Sequence, residues 1–382
     1  MRFWHVMLLT SLIAAPAAAQ LEPETLNVAE LDAQMKPHWI WVNDVSFNRP
    51  LDGRAYLVDA DSGAFLGMVS GGYVQGPLQI APDGQRFSMV STYYSRGSTG
   101  DRTDVVTFYD IKTLGRTGEV IIPPKQMKSL PLLAHSTRTD DDRFQIVTNF
   151  TPEQSITIVD VPAQKLVGET ETPGCTLVYP VDARRFMMLC GDGSMQTATL
   201  SETGALTLGK ASQPIFADSD PAHEKAVRLS TSEWLFQTSD THAVVVDGSG
   251  AVPKVKKRWS MIGQDVAGWR TGGVQPIAYH AATKRLFTLM HEGDATTRQD
   301  PGVEIWVFDA TTGKRLHRYP MAGPATAIAV SEDDQPLLYT AMFGVPKLII
   351  YDAATGKQLR EIDEMGSAIT VLQPAPRIPG AK

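Results

Sequence analysis

IWVFDATTGKRLHRY (305–319) reads as one hairpin written out in order. Ile305 to Phe308 are β-branched or aromatic, Asp309 closes that run, and Thr312-Gly313 supplies a turn before a second run reaches Tyr319. The same phrase occurs at RAYLVDADSGAFLGMV (54–69), VVTFYDIKTLGRTGEV (105–120), ITIVDVPAQKLVGE (156–169), TATLSETGALTLGK (197–210), AVVVDGSGAVPKV (243–255) and LIIYDAATGKQLREI (348–362). The residues that end the first runs are Asp59, Asp110, Asp160, Ser201, Asp247, Asp309 and Asp352, spaced by 51, 50, 41, 46, 62 and 43 positions. Seven copies at that spacing mark a repeat architecture and argue against two unrelated domains in the 382 residues.

A second kind of hairpin lies between the copies, as in LQIAPDGQRFSMVS (78–91), LAHSTRTDDDRFQIVTN (133–149), YHAATKRLFTLMH (279–291) and IAVSEDDQPLLYTAM (328–342). Two hairpins per period make a four-stranded antiparallel sheet with two apolar faces to cover. A ring of such sheets covers both, so the expected fold is all-β, a seven-bladed β-propeller over residues 38–376. The first unit, WIWVNDVSF (39–47), lacks an inner strand, and SAITVLQP (367–374) is left over after the last copy. Pairing the two would close the ring and remove an open sheet edge.

The flanks read differently. Arg2 precedes an apolar stretch from Phe3 to Ala15, and Ala17-Ala18-Ala19 offers a small-residue cleavage site before Gln20. That stretch is shorter than the ~20 residues of a membrane span, so 1–19 is expected to be a signal peptide and the mature protein exported, in the periplasm. EPETLNVAELDAQM (22–35) sets Leu26, Val28, Leu31 and Met35 among polar residues, which suggests a short N-terminal helical arm (20–37) outside the ring; a disordered tail is the other reading. Residues 377–382 form a C-terminal tail.

Apolar residues at 43% supply a core, and 35 basic against 42 acidic residues with no long basic run argue against nucleic acid. No later window reaches membrane length. Two cysteines in an oxidising compartment are a pair. Cys175 opens CTLVYP and Cys190 ends RFMMLC; a hairpin turning at Val181 to Arg184 pairs 180 with 185 and 179 with 186, and so sets 175 opposite 190. Opposed residues of a non-hydrogen-bonded pair approach closely enough for a disulfide, worth ~3 kcal/mol over so short a loop.

Catalytic signatures are missing: no nucleophile elbow, no P-loop, no C-x-x-C and no H-E-x-x-H. No metal site is expected from the eight scattered histidines, His291-Glu292-Gly293-Asp294 being the densest polar group. Asp83-Gly84 and Asp140 to Asp142 read as turns. STYYSRGSTGDRTD (91–104) reads as a long loop, either ordinary or able to hold an anion or a partner chain.

Several stretches carry a family resemblance: IWVNDVSF (40–47), FLGMV (65–69), RTDVV (102–106), IPPK (122–125), CGDG (190–193), GWRTGGVQPIAYH (268–280) and EIWVFDATTGKR (304–315). In that order they resemble the heavy (large) subunit of the quinoprotein amine dehydrogenases, the methylamine and aromatic amine enzymes, and look somewhat closer to the aromatic-amine branch. The resemblance implies two large and two small subunits, with tryptophan tryptophylquinone carried by the small cysteine-rich subunit and no cofactor bound to this chain. It implies oxidation of a primary amine to aldehyde and ammonia, with electrons passed to a cupredoxin of the amicyanin or azurin type. On this chain it implies no catalytic residue, but it places Phe47 at the mouth of the substrate channel. Asn48, Arg49, Pro50 and Leu51 differ from the family pattern. Two other readings stand beside it: a stand-alone secreted binding module, and a propeller hydrolase with a metal in its central tunnel.

Overall fold

The computed structural model describes residues 29–377, apart from 129–130, 264–265 and 295. The expected signal peptide, the start of the arm and residues 378–382 lie outside the described residues. Antiparallel strands dominate, and the helical element among the described residues is a 3-10 turn, Leu133–His135. The first sheet runs in the order Ile369–Pro374, Trp39–Asp44, Gly53–Asp59, Phe65–Gly72, then Arg86–Arg96, Thr99–Asp110 and Arg116–Ile122, with Leu78–Ile80 on the edge of Arg86–Arg96. A single parallel pair, Gly72 with Thr92, joins its two halves. Further sheets span 136–171, 175–211, 227–260, 269–325 and 327–363. Strands 78–80, 136–138, 175–180, 227–228, 277–280, 327–330 and 369–374 all contribute to the wall of one central cavity of about 440 Å³. The architecture is a β-propeller.

The repeated hairpin explains itself in hydrogen bonds. Carboxylates of Asp59, Asp110, Asp160, Asp247, Asp309 and Asp352 each accept an amide from their own turn, at 2.7–2.9 Å. Side chains that mimic a backbone turn in this way are favoured there and disfavoured inside strands. The next residue donates its amide to the carbonyl just ahead of the neighbouring strand, as from Ala60 to His38, Ile111 to Gln85 and Ala310 to Lys284. In the fourth copy that donor is Leu200, to Arg184, and Thr199 stands opposite Arg185. Thr199 therefore holds the strand position of the aspartates. Ser201, expected as the anchor, lies two residues on, where its hydroxyl accepts the Thr203 and Ala205 amides.

Closure is carried by the last strand. Ile369–Pro374 pairs antiparallel with Trp39–Asp44, placing Leu372 opposite Val42 and Pro374 opposite Ile40. Ile40, Val42, Ile369 and Leu372 share one core cluster with Ala329, Tyr339 and Ile350 of the preceding sheet. Each buried Ile, Val or Leu there contributes ~1.5–3 kcal/mol, so the seam is core like the rest of the ring.

Three expectations need correction. Residues 29–37 contain no helix. The Leu31 and Met35 amides are spent on the Lys112 and Gly84 carbonyls, and both side chains pack beside Trp39, Leu57 and Phe87. From Leu31 on, the chain is pegged to the ring and does not stand outside it. Residues 91–104 are no loop but the upper half of a long hairpin, paired from Arg86 with Asp110 to Arg96 with Thr99. Its Tyr and Thr residues simply continue the strands. In the third case the outcome holds and the register does not. Cys175 does oppose Cys190, yet Pro180 pairs with Phe186 and Tyr179 with Met187. A bulge at Leu177, with φ of 62°, absorbs the extra residue of the turn.

Candidate functional site

Phe47 leaves the strand Trp39–Asp44 on a loop built around one buried carboxylate. Asp44, 3% exposed, accepts the Ser46 and Ala368 amides on Oδ1, both at 2.8 Å, and the Ser367 amide on Oδ2 at 2.9 Å. Three amide donors satisfy a charge that would otherwise be costly to bury. The arrangement demands Gly366: its φ is 91°, and a Cβ there would lie 2.6 Å from Asp44 Oδ2. Asp44 therefore ties the Phe47 loop to the segment that leads into the closing strand. Arg49 and Asp52 donate their amides to Ser46 and Arg49 carbonyls, coiling residues 46–52 into successive turns. On the loop's polar side, Arg49, Arg54, Tyr56 and Glu364 line a hollow of about 280 Å³. Burial, with the Asp44 charge behind it, pushes the Tyr56 phenol up.

The apolar side is open. Phe47 is 44% exposed, and its ring meets that of Phe343 at a centroid distance of 5.5 Å and an angle of 55°. Phe343 sits on the turn between the strands Leu337–Ala341 and Lys347–Asp352, its amide donating to Thr326 Oγ1 at 2.8 Å. Leu51 and Val345 are also exposed on these two loops. The Val74 amide donates to the Pro50 carbonyl at 2.8 Å and braces the Phe47 loop against the segment that follows the strand Phe65–Gly72.

The long hairpin beside it is locked at its base. Asp104, fully buried, accepts Arg102 on both oxygens, the Thr92 hydroxyl at 2.6 Å and the Gln126 amide at 2.9 Å. Nearby, Lys128 donates to the Val74 carbonyl at 3.3 Å, and desolvation lowers its ammonium to about 7. Two buried histidines are held neutral. Burial, then Lys128, lowers His135 to about 4; burial, then Lys225, lowers His223 to about 4.

Of the other expected residues, Cys175 and Cys190 form a disulfide. Their amides donate to Thr172 and Ser194 carbonyls, so the pair is non-hydrogen-bonded. His291 is the second-last residue of the strand Arg285–Glu292, with Nε2 2.9 Å from Thr297 Oγ1, and among the described residues no His, Cys, Asp and Glu group could hold a metal. No described helix is long and apolar enough to cross a membrane.

Comparison with known proteins supplies the identity of this scaffold. A family model described as "Methylamine dehydrogenase heavy chain (MADH)" matches residues 38–375. The chain belongs to that family. The methylamine dehydrogenase heavy chain of Methylophilus methylotrophus is 28% identical over 336 residues, covering 85% of this chain and 80% of its own. That of Paracoccus versutus is 27% identical over 319 residues, covering 81% and 73%. Solved structures share the fold: a β-propeller domain from Myceliophteria thermophila covers 85% of this chain and 92% of its own, at 9% identity and a TM-score of 0.54. A dihydro-heme d1 dehydrogenase covers 86% at 15% identity and a TM-score of 0.56, this chain spanning 64% of it.

The protein is thus an amine dehydrogenase heavy chain, the large subunit of an oxidoreductase. Sequence reading picked Phe47 from this heavy chain and missed Phe343. The two are distant in sequence and meet only because the closing strand sets the first and last sheets side by side. The one sequence signal for Phe343 is a lone Phe beside Gly344 between the hairpins at 328–342 and 348–362, which is common and specifies nothing.

Proposed function

We propose that this heavy chain is the exported, periplasmic scaffold of a quinone-dependent amine dehydrogenase, a ring of seven blades joined two-to-two with a small cysteine-rich subunit. That partner would carry tryptophan tryptophylquinone, which supplies the electrophilic carbonyl and the electron sink for oxidising a primary amine to aldehyde and ammonia. Electrons would pass on to a cupredoxin of the amicyanin or azurin type. This chain's part is apolar and positional. Phe47 narrows the channel mouth, Asp44 fixes its loop, and the rings exclude water from the amine's path. The observation that carries the reading is the partly exposed Phe47 ring, held on a buried carboxylate in a chain of this family. Exposed apolar side chains gathered on adjacent loops are the ordinary mark of a surface awaiting a partner.

The test is expression with and without a cysteine-rich small subunit of this family. Alone, the heavy chain is expected to fold and to oxidise no amine; together, the two are expected to co-purify and turn over primary amines. In the complex, Phe47→Ala changes the ratio of kcat/KM between benzylamine and methylamine and leaves the quinone absorbance intact. A wall acts through contact area, worth ~1–3 kcal/mol per lost group, and does not touch the bond-making step. Amine oxidation by the isolated chain would overturn the proposal.

A further inference from the structure

The geometry points to Phe343 as a second specificity residue: with Phe47 it forms a two-ring wall at which the size of the amine's apolar group is sensed. This inference rests on the channel reading of Phe47. Four observations carry it. The rings are 5.5 Å apart and inclined at 55°, an aromatic contact in which each fixes the other's face. Phe47 is 44% exposed, so the contact is made at a surface and leaves ring area free for a third apolar group. Phe343 does not owe its place to its side chain. Its amide is held by Thr326 Oγ1 at 2.8 Å, the Val345 amide closes the turn onto the Met342 carbonyl at 3.0 Å, and Gly344 takes φ of 80°. Finally, the Thr326 carbonyl accepts the Val274 and Gln275 amides, so the turn carrying Phe343 is braced from the adjoining sheet.

The two rings approach the same spot from opposite sides of the closing seam, each on a loop held by backbone hydrogen bonds. A mobile ring would adapt to any substrate. Two rings on fixed loops reward an apolar body that fills the space beside them and offer little to a methyl group.

In the complex with the small subunit, Phe343→Ala is expected to lower the benzylamine-to-methylamine ratio of kcat/KM by roughly tenfold. The loss should fall on KM for benzylamine with kcat nearly kept, the signature of binding lost equally from ground and transition states. Phe343→Leu, which retains apolar contact, should keep most of the ratio. The double variant Phe47→Ala with Phe343→Ala should lose less than the two single losses combined, because the residues touch. An unchanged or raised ratio in Phe343→Ala, with Phe47→Ala still shifting it, overturns this inference alone. Unchanged ratios in both variants overturn the Phe47 reading with it. Failure of Phe343→Ala or Phe343→Leu to co-elute with the small subunit would make Phe343 a docking residue and also overturn it.

Discussion

The two ends of the propeller hold different sets of contacts. Trp39–Asp44 runs antiparallel to the closing strand, so Phe47 lies where the inner strands begin and the aspartate turns lie where they end. At the turn end, polarity is spent on holding the ring. Asp140, Asp141 and Asp142, adjacent on one turn, clasp Arg228, Arg184 and Arg86, which come from three other sheets; Asp142 also takes Arg138. His38 bridges Asp61 and Asp333 across the closing seam. At the Phe47 end, Phe47, Leu51 and Val345 are left exposed, and His135 and His223 are buried without charge. Side-chain ion pairs join sheets at the turn end, while at the Phe47 end the joins are mostly backbone amides, to Asp44 and to the Thr326 carbonyl, beside an exposed aromatic pair.

The largest expected effect removes the distinction altogether. Deleting the chain after Gly366 strips Ile369, Leu372 and their strand from the seam and leaves Asp44 without the Ser367 and Ala368 amides. Both ends lose their frame at once. A truncated chain is expected to be insoluble or to melt at least ~10 °C lower by circular dichroism, several buried side chains at ~2 kcal/mol each being at stake. Unchanged melting would mean that the seam is not what holds the ends together.

Acid sharpens the contrast. His135 and His223 have folded values near 4, against an unfolded value near 6.5, so between these pH values the unfolded chain binds more protons. Their contribution is fully present above about pH 6.5 and is lost as pH falls toward 4. The loss amounts to ~3 kcal/mol per histidine. The groups acting on them are Lys128, Lys225, Glu224, Arg298 and Asp220, and burial outweighs them all. Thermal melts at pH 7.5 and 4.5 should diverge in the wild-type chain and converge in His135→Gln and His223→Gln. An undiminished difference in both variants would locate the acid sensitivity elsewhere.

Legibility in the sequence follows the same division. The turn end could be read because its chemistry is local: Asp309 caps a turn three residues away, and the pattern repeats. Cys175 and Cys190 were readable for the same reason, although the compensating bulge at Leu177 was not, since a positive φ at leucine has no sequence signature. The clasps on Asp140 to Asp142 escaped, because their arginines arrive from other sheets and a run of three carboxylates looks like any solvated turn. The hairpin at 91–104 reads as a loop because Gly97 and Gly100 interrupt the β-rich run, whereas Thr92, Arg102 and Asp104, which bind one another, all lie in paired strands. Of the candidate site, Phe47 was reached through resemblance, and Phe343 needed the closed ring.

The smallest expected effect tests whether the clasps belong to the surface or to the core. Arg228 reaches both oxygens of Asp140 at 2.7 and 2.8 Å, but the two side chains remain 29% and 32% exposed. Water competes for both partners, and salt screens what is left. A double-mutant cycle with Asp140→Ala and Arg228→Ala is therefore expected to give a coupling of only ~0.2–1 kcal/mol in urea denaturation, smaller still in 0.5 M salt. Amine preference in the assembled complex should not move, since the pair lies at the end away from Phe47. Arg228 also donates to the Ser230 and Thr231 carbonyls, so Arg228→Ala alone should cost more than Asp140→Ala. A coupling well above 1 kcal/mol, insensitive to salt, would show that these clasps bear on the ring as buried contacts do. The turn end would then share the energetics of the core, and the difference between the two ends would rest on the exposed aromatic loops alone.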